Sequence, residues 1–145
     1  MITVRTASFS ELDEVHRMIP EFPDRVAHGF YEQNLKHRLF LALVAEVNHE
    51  VAGFKVAYQS ESPEVLYSWM GGVLPEFRKT GVANALAEYQ ENWAKENGFK
   101  RVFFKTRNRF PAMIKFGLSR NFKIIEVLQK GGVQDYRIVM MKDLM

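Results

Sequence analysis

The residues best placed to do chemistry stand together at 78–84, Arg78-Lys79-Thr80-Gly81-Val82-Ala83-Asn84. An apolar run ends at Val73, a short turn with two cations follows, and apolar residues at helical spacing begin at Val82. The first N–H groups of a helix have no intrahelical acceptors, and the aligned peptide dipoles leave partial positive charge on them. Gly81 allows a positive φ or a close approach to a ligand, and Ala83 keeps the first helical turn unobstructed. A turn of this kind holds anions, and phosphate is its natural guest.

Composition narrows the classes that such a turn can serve. The chain has 145 residues, 47% of them hydrophobic, which is enough for one domain with a sizeable core and too little for two. Its 20 basic and 17 acidic residues are interspersed, and a net charge of +3 suits a phosphorylated cofactor better than a nucleic-acid duplex. The absence of cysteine excludes disulfides, thiolate zinc sites and cysteine nucleophiles. His16, His28, His37 and His49 lack ligand spacing, so no metal site is expected. No apolar run approaches ~18 residues, and Met1-Ile2-Thr3-Val4-Arg5 opens a strand rather than a signal peptide. A cytoplasmic protein without membrane or nucleic-acid partners is the expectation.

The elements that must position the turn follow from periodicity. Residues 2–5 alternate as a half-buried strand does, and Ser8-x-x-Glu11 has capping-box spacing ahead of Leu12, Val15 and Ile19 on one helical face. Pro20 and Pro23 stop that helix, and Asp24 is placed to cap a second one reaching about His37. Residues 39–47 and 51–58 read as a hairpin about Asn48-His49-Glu50, and 59–64 as a loop. Residues 65–73 form a strand in which Gly71-Gly72 suggest a bulge or a close approach. A helix from Val82 to Asn97-Gly98, a strand at 101–106, a short helix from Pro111 to about Arg120, and strands at 122–128 and 136–141 complete the chain. The order β-α-α-β-β-β-α-β-α-β-β predicts an α/β (α+β) fold, mixed and mostly antiparallel, with about seven strands and about four helices. One helical crossover makes the strands at 65 and 101 parallel.

At Arg78-x-x-Gly81-x-Ala83, and in the order of its elements, the chain resembles the GCN5-related N-acetyltransferase (GNAT) family over nearly its whole length. The resemblance implies a single N-acetyltransferase domain over residues 1–145. It implies acetyl-coenzyme A as co-substrate, in a gap where the fourth and fifth strands splay apart. The pyrophosphate is then expected on Arg78, Lys79, Thr80, Gly81, Val82, Ala83 and Asn84, the pantetheine arm on Gly72 and Val73, and a further contact at Asn108, which is also suited to capping a helix. A bulge at Gly71-Gly72 can aim an N–H at the thioester carbonyl. The expected partners are a primary amine of a small molecule or peptide and a second copy of the chain.

One position departs from the family pattern. Where many members carry a tyrosine that protonates the departing thiolate, this chain has Gly117, with Asn121 in place of a glycine, so water or another residue must supply the proton. Room for the sulfur end of the cofactor is one reading of the glycine. No general base is identifiable, and Glu61, Glu64, Tyr67, Tyr31 and Glu32 are candidates for the acceptor pocket, which the loops at 24–38 and 59–64 would shape. Two other classes remain: a non-catalytic acyl-coenzyme A sensor on the same fold, and a nucleic-acid module using Arg101, Lys105, Arg107 and Arg109. The phosphate motifs G-x-x-x-x-G-K-[ST] and G-x-G-x-x-G do not occur.

Overall fold

A computed structural model describes residues 1–22 and 26–144. In chain order the elements are β1 (Ile2–Thr6), α1 (Phe9–Arg17), α2 (Phe30–Leu35), β2 (Phe40–Val47), β3 (Glu50–Gln59), β4 (Val65–Val73), α3 (Val82–Glu96), β5 (Arg101–Arg107), α4 (Pro111–Ser119), β6 (Lys123–Leu128) and β7 (Arg137–Asp143). Single 3₁₀ turns stand at Pro75–Phe77 and Val133–Asp135. The Ser8/Glu11 capping box forms in both directions, and Asn48 and His49, both at positive φ, make the tight turn that joins β2 to β3. The second helix is shorter than its pattern suggests. It starts behind Gly29 at φ 87°, whose N–H is held by buried Asp13, while Asp24 lies outside the described residues.

All seven strands join one sheet in the order β1-β2-β3-β4-β5-β7-β6. Only β4 and β5 run parallel, through the crossover helix α3. Phe54 and Val56 face α1 and α2, packing with Leu12, Val15, Tyr31 and Leu35. Val82 and Leu86 of α3 cover Leu43, Ala45 and Ala52 on the other face, and Phe104, Phe122 and Met140 continue that face. The extra residue in β4 is Trp69, since Ser68 pairs with Ala57 and Met70 with Val56. The bulge expected at Gly71-Gly72 therefore sits nearer the start of the strand, and the two glycines pair regularly with Lys55 and Phe54. They serve close approach: a Cβ at Gly72 would lie 3.2 Å from Ile19 Cδ1, and one at Gly71 would lie 3.1 Å from the Phe54 carbonyl oxygen.

Gly117 is buried in α4 and turned toward the sheet. A Cβ there would stand 2.8 Å from Phe104 Cζ and 2.9 Å from Met140 Cε, so the missing side chain makes room for β5 and β7 rather than for a cofactor's sulfur. The Gly117→Ala variant is expected to lose about 1–3 kcal/mol in chemical denaturation despite its better helix propensity, because the Phe104 ring cannot bend away as a flexible chain would. An unchanged midpoint would show that α4 can lift off the sheet at no cost.

Candidate active site

β4 and β5 stay hydrogen-bonded only through the pairs Val65↔Arg101, Leu66↔Val102 and Tyr67↔Phe103, although β4 runs on to Val73 and β5 to Arg107. Beyond Tyr67 the strands part, and the β4 edge from Ser68 to Val73 has lost its neighbour on the β5 side while it keeps β3 on the other. An extended ligand with amide groups can occupy such an edge as a strand would. With Trp69 as the extra residue, the bulge lies next to the point of parting, where it breaks the regular alternation of N–H directions.

The turn at 78–81 stands at the open end of this gap. Lys79 (φ 63°) and Gly81 (φ 93°) bend the chain sharply after the 3₁₀ turn, and α3 begins at Val82 with no side-chain cap. Glycine at the N-cap leaves the N–H groups of Val82, Ala83 and Asn84 to whatever ligand arrives. Thr80 donates its hydroxyl to the Phe77 carbonyl, which braces the turn. The Arg78 guanidinium grips Glu21 with two hydrogen bonds of 2.6 and 2.7 Å and donates a third to the Val73 carbonyl. That pairing holds the Glu21 carboxyl below its usual pKa, and it makes Arg78 a clamp between the turn and the segment after α1. Lys79 is exposed, and Asn84 accepts a hydrogen bond from Arg120 at 3.1 Å. Asn108 does not cap α4, whose N-cap is Phe110. Its side chain donates to the Val133 carbonyl and ties the exit of β5 to the loop before β7.

The face of the gap toward α1 and α2 is aromatic. Tyr67 stacks on Phe103 (4.7 Å between centroids, 9° between planes), meets Tyr58 edge-on at 5.3 Å, and Tyr58 in turn meets Trp69 at 5.7 Å. Arg38 lies 4.2 Å above the Tyr58 ring, and Lys105 Nζ is 5.4 Å from the Tyr67 centroid. Burial, and then the neighbouring Tyr58, raise the Tyr67 pKa, so its phenol stays protonated near neutral pH and holds its proton more tightly than a free phenol. Tyr31, another candidate, is fully enclosed, with its hydroxyl 2.7 Å from His16 Nδ1 and its pKa pushed up by burial. Glu64 pairs with Lys100 at 3.3 Å, at the end where β4 and β5 are still joined. Arg101 pairs with Asp143, and Arg107 and Arg109 share Asp135, so the basic residues of this strand do not form the free stripe that a nucleic-acid surface needs.

The opposite face is polar. Glu91 of α3, with 8% of its side chain exposed, receives Lys142 Nζ at 2.6 Å and Arg120 Nη2 at 3.2 Å, and beside it Ser68 donates to Gln90 at 3.2 Å. Lys55 of β3 lies on this face across from Gly71. The two cations on Glu91 leave its buried charge well compensated.

Comparison with known proteins now decides the family. The family model described as Acetyltransferase (GNAT) family matches residues 7–120. The chain belongs to the GNAT family. Its fold is shared with the ribosomal-protein-S18-alanine N-acetyltransferase from Escherichia coli (TM-score 0.84, 15% identity, 99% of this chain and 94% of that one). NAA60 from Arabidopsis thaliana, solved with a bisubstrate analogue, superposes with TM-score 0.79 at 18% identity over 99% and 98%. An aminoglycoside 6'-N-acetyltransferase complexed with coenzyme A superposes with TM-score 0.80 at 15% identity over 99% and 97%. No curated protein sequence matches the chain. At these identities the likeness is one of fold, and the site has to be read from this GNAT chain's own residues.

The structure sets the turn directly after the unpaired part of β4, as the sequence order requires, and sequence reasoning passed over Lys55, Glu91 and Arg120. Their signals were present: a lysine inside the apolar strand Gly53-Phe54-Lys55-Val56-Ala57, and a glutamate on the helical face that carries Ala87 and Ala94. Among the described residues no group of three or more His, Asp or Glu is disposed to hold a metal ion, and no helix is long and apolar enough to cross a membrane. Replacing Glu91 with alanine strands Arg120 and Lys142 without a counter-charge, and a loss of about 3–5 kcal/mol is expected in denaturant titration. A loss below ~1 kcal/mol would mean that the cluster is open to water.

Proposed function

We propose that this GNAT chain is an acetyl-coenzyme A-dependent N-acetyltransferase that passes the acetyl group to a primary amine of a small molecule or peptide by direct attack. The observation that carries this reading is the parting of β4 from β5 with an uncapped helix N-terminus at its mouth. The N–H groups of Gly81, Val82, Ala83 and Asn84 would hold the pyrophosphate, with Lys79 adding charge, while the exposed edge at Gly72 and Val73 would take the amides of the pantetheine arm. Arg78 supports the turn through Glu21. The bound co-substrate supplies an activated thioester. The bulge at Trp69 is placed to offer its carbonyl a backbone N–H where the strands diverge. The amine would come from the aromatic face, over Tyr67 and Trp69, where neutral, ring-lined walls favour the uncharged nucleophile.

The relatives of this fold act on different amines. The Escherichia coli protein is named for an alanine of ribosomal protein S18 and another for an aminoglycoside, so the acceptor has to be found by screening. Saturating acetyl-coenzyme A is expected to stabilise the protein by about 2.7 kcal/mol at a hundredfold excess over Kd, read as a rise in Tm. In Gly81→Val, where a branched side chain meets φ 93°, that rise should vanish, whereas Arg78→Gln should keep most of it. No rise in the parent protein would contradict the reading. Thiol release on a panel of primary amines then tests turnover: at least one should react, and a protein stabilised by acetyl-coenzyme A yet silent with every amine is an acyl-coenzyme A sensor instead.

A further inference from the structure

A half-buried ammonium group with no hydrogen-bond partner among the described residues lies under the crossover helix. Lys55 sits in the middle of β3, in register with Leu43 on one side and Gly71 on the other, on the face that α3 and α4 cover. Its stem is laid over β4: a Cβ at Gly71 would be 3.5 Å from Lys55 Cγ, so the glycine opens the path by which the lysine reaches toward the parted edge. The charged groups facing it are Glu91 from α3 and Arg120 from the end of α4, with Lys142 of β7 behind them on Glu91. Both Glu91 oxygens are already taken, by Arg120 and by Lys142. Among the described residues Lys55 Nζ has no hydrogen-bond partner of its own. Three cations thus share one carboxylate, and a partly buried cluster with surplus positive charge is suited to an anion that forms beside it.

We propose that Lys55 is the general acid of this enzyme, giving a proton from Nζ to the coenzyme A thiolate as it departs. The inference rests on the acetyltransferase reading above, which puts the thioester on the β4 edge beyond Tyr67. In the step, the acceptor nitrogen forms a bond to the acetyl carbon, the carbon–sulfur bond breaks, and the sulfur takes a proton from the Lys55 ammonium. The amine loses its own proton to solvent, and solvent protonates neutral Lys55 again, so charge and protons balance. The chemistry matches in strength: burial brings Lys55 down to about 8, with Arg120 adding to the fall and Glu91 opposing it, while a free thiol titrates near ~8.5. A tyrosine at 117 has no space, because that position faces Phe104 and Met140, whereas the stem of Lys55 passes Gly71 on the parted edge of β4.

The test uses coenzyme A itself, titrating the thiol of the bound molecule by the ultraviolet absorbance of its thiolate. In the parent protein the thiol is expected to titrate below its free value, and in Lys55→Met to return to it. Equal titrations in parent and variant would overturn the proposal. Failure of the parent to bind coenzyme A would instead overturn the acetyltransferase reading on which the proposal rests. With any amine found to react, Lys55→Met should lose about 10²-fold in kcat at unchanged KM for acetyl-coenzyme A, and the fall in rate as pH rises through about 8 should disappear. Lys55→Arg, which keeps the charge but holds its proton at neutral pH, should leave the thiol titration low and fail to restore kcat. A full rescue by arginine, or an unchanged pH profile in Lys55→Met, would overturn proton donation. Folding is not the obstacle: the lowered pKa means that the charged form destabilises the native state below about 8 and that this penalty is relieved as pH rises toward 10.5, so Lys55→Met should melt at a higher temperature than the parent at neutral pH. A lower Tm in Lys55→Met would contradict the half-buried ammonium, without a hydrogen-bond partner among the described residues, from which the proposal starts.

Discussion

The structure turns on a ladder that stops. Two parallel strands in the middle of a seven-stranded sheet would ordinarily satisfy each other's backbone groups along their length, since a buried unpaired N–H or C=O costs free energy comparable to a lost hydrogen bond. Here β4 and β5 exchange hydrogen bonds only as far as Tyr67 and Phe103, and the edge beyond is left unpaired at the centre of the fold. The molecule tolerates this because each strand is secured on its other side, β4 by β3 and β5 by β7 along its whole length. The surrounding packing holds the gap open, and an extended ligand with strand-like amides is able to complete the sheet there.

Everything around the gap differs between its two faces. On the α1 and α2 side, Phe54, Val56 and Tyr58 of β3 with Tyr67, Trp69 and Phe103 build an apolar, aromatic wall in which phenols stay neutral. On the α3 and α4 side, the alternation that brings Lys55, Ser68 and Gly71 inward creates a polar cluster whose charges are organised around Glu91. The bulge at Trp69 joins the two, because the additional residue lets Trp69 and Met70 both pack with the α1 side while Ser68 and Gly71 remain on the other. The proposed reaction, in which a neutral amine attacks and a thiolate departs, calls for opposite surroundings, and the two faces of the sheet differ in that way.

How much of this was legible depended on whether the signal was local. Ser8-x-x-Glu11, the Asn48-His49 turn and the Gly81 turn are set by neighbouring residues, and each formed where the sequence placed it. The position of the bulge was not legible, because register is decided by which β3 residue faces which β4 residue. Two glycines that look like a bulge turned out to be spaces for Ile19 and for the Phe54 backbone. Gly117 misled for the same reason: its burial depends on Phe104 and Met140, both distant in sequence. Arg78 reads as a phosphate ligand, and the fold adds a partner, Glu21, that lies 57 residues away and that local sequence does not show. Charges inside apolar patterns, Lys55 and Glu91, were visible but had no meaning until the partners converged.

The central claim is that coenzyme A completes the unpaired edge of β4 and rests on the start of α3. Backbone amide resonances followed during titration with coenzyme A test it most directly. The account predicts the largest shifts, and new protection from hydrogen exchange, at the amides of residues 68–73 and 81–84, with the aromatic wall on the α1 side perturbed less. Shifts confined to other surfaces, with those two stretches unmoved at saturation, would contradict it.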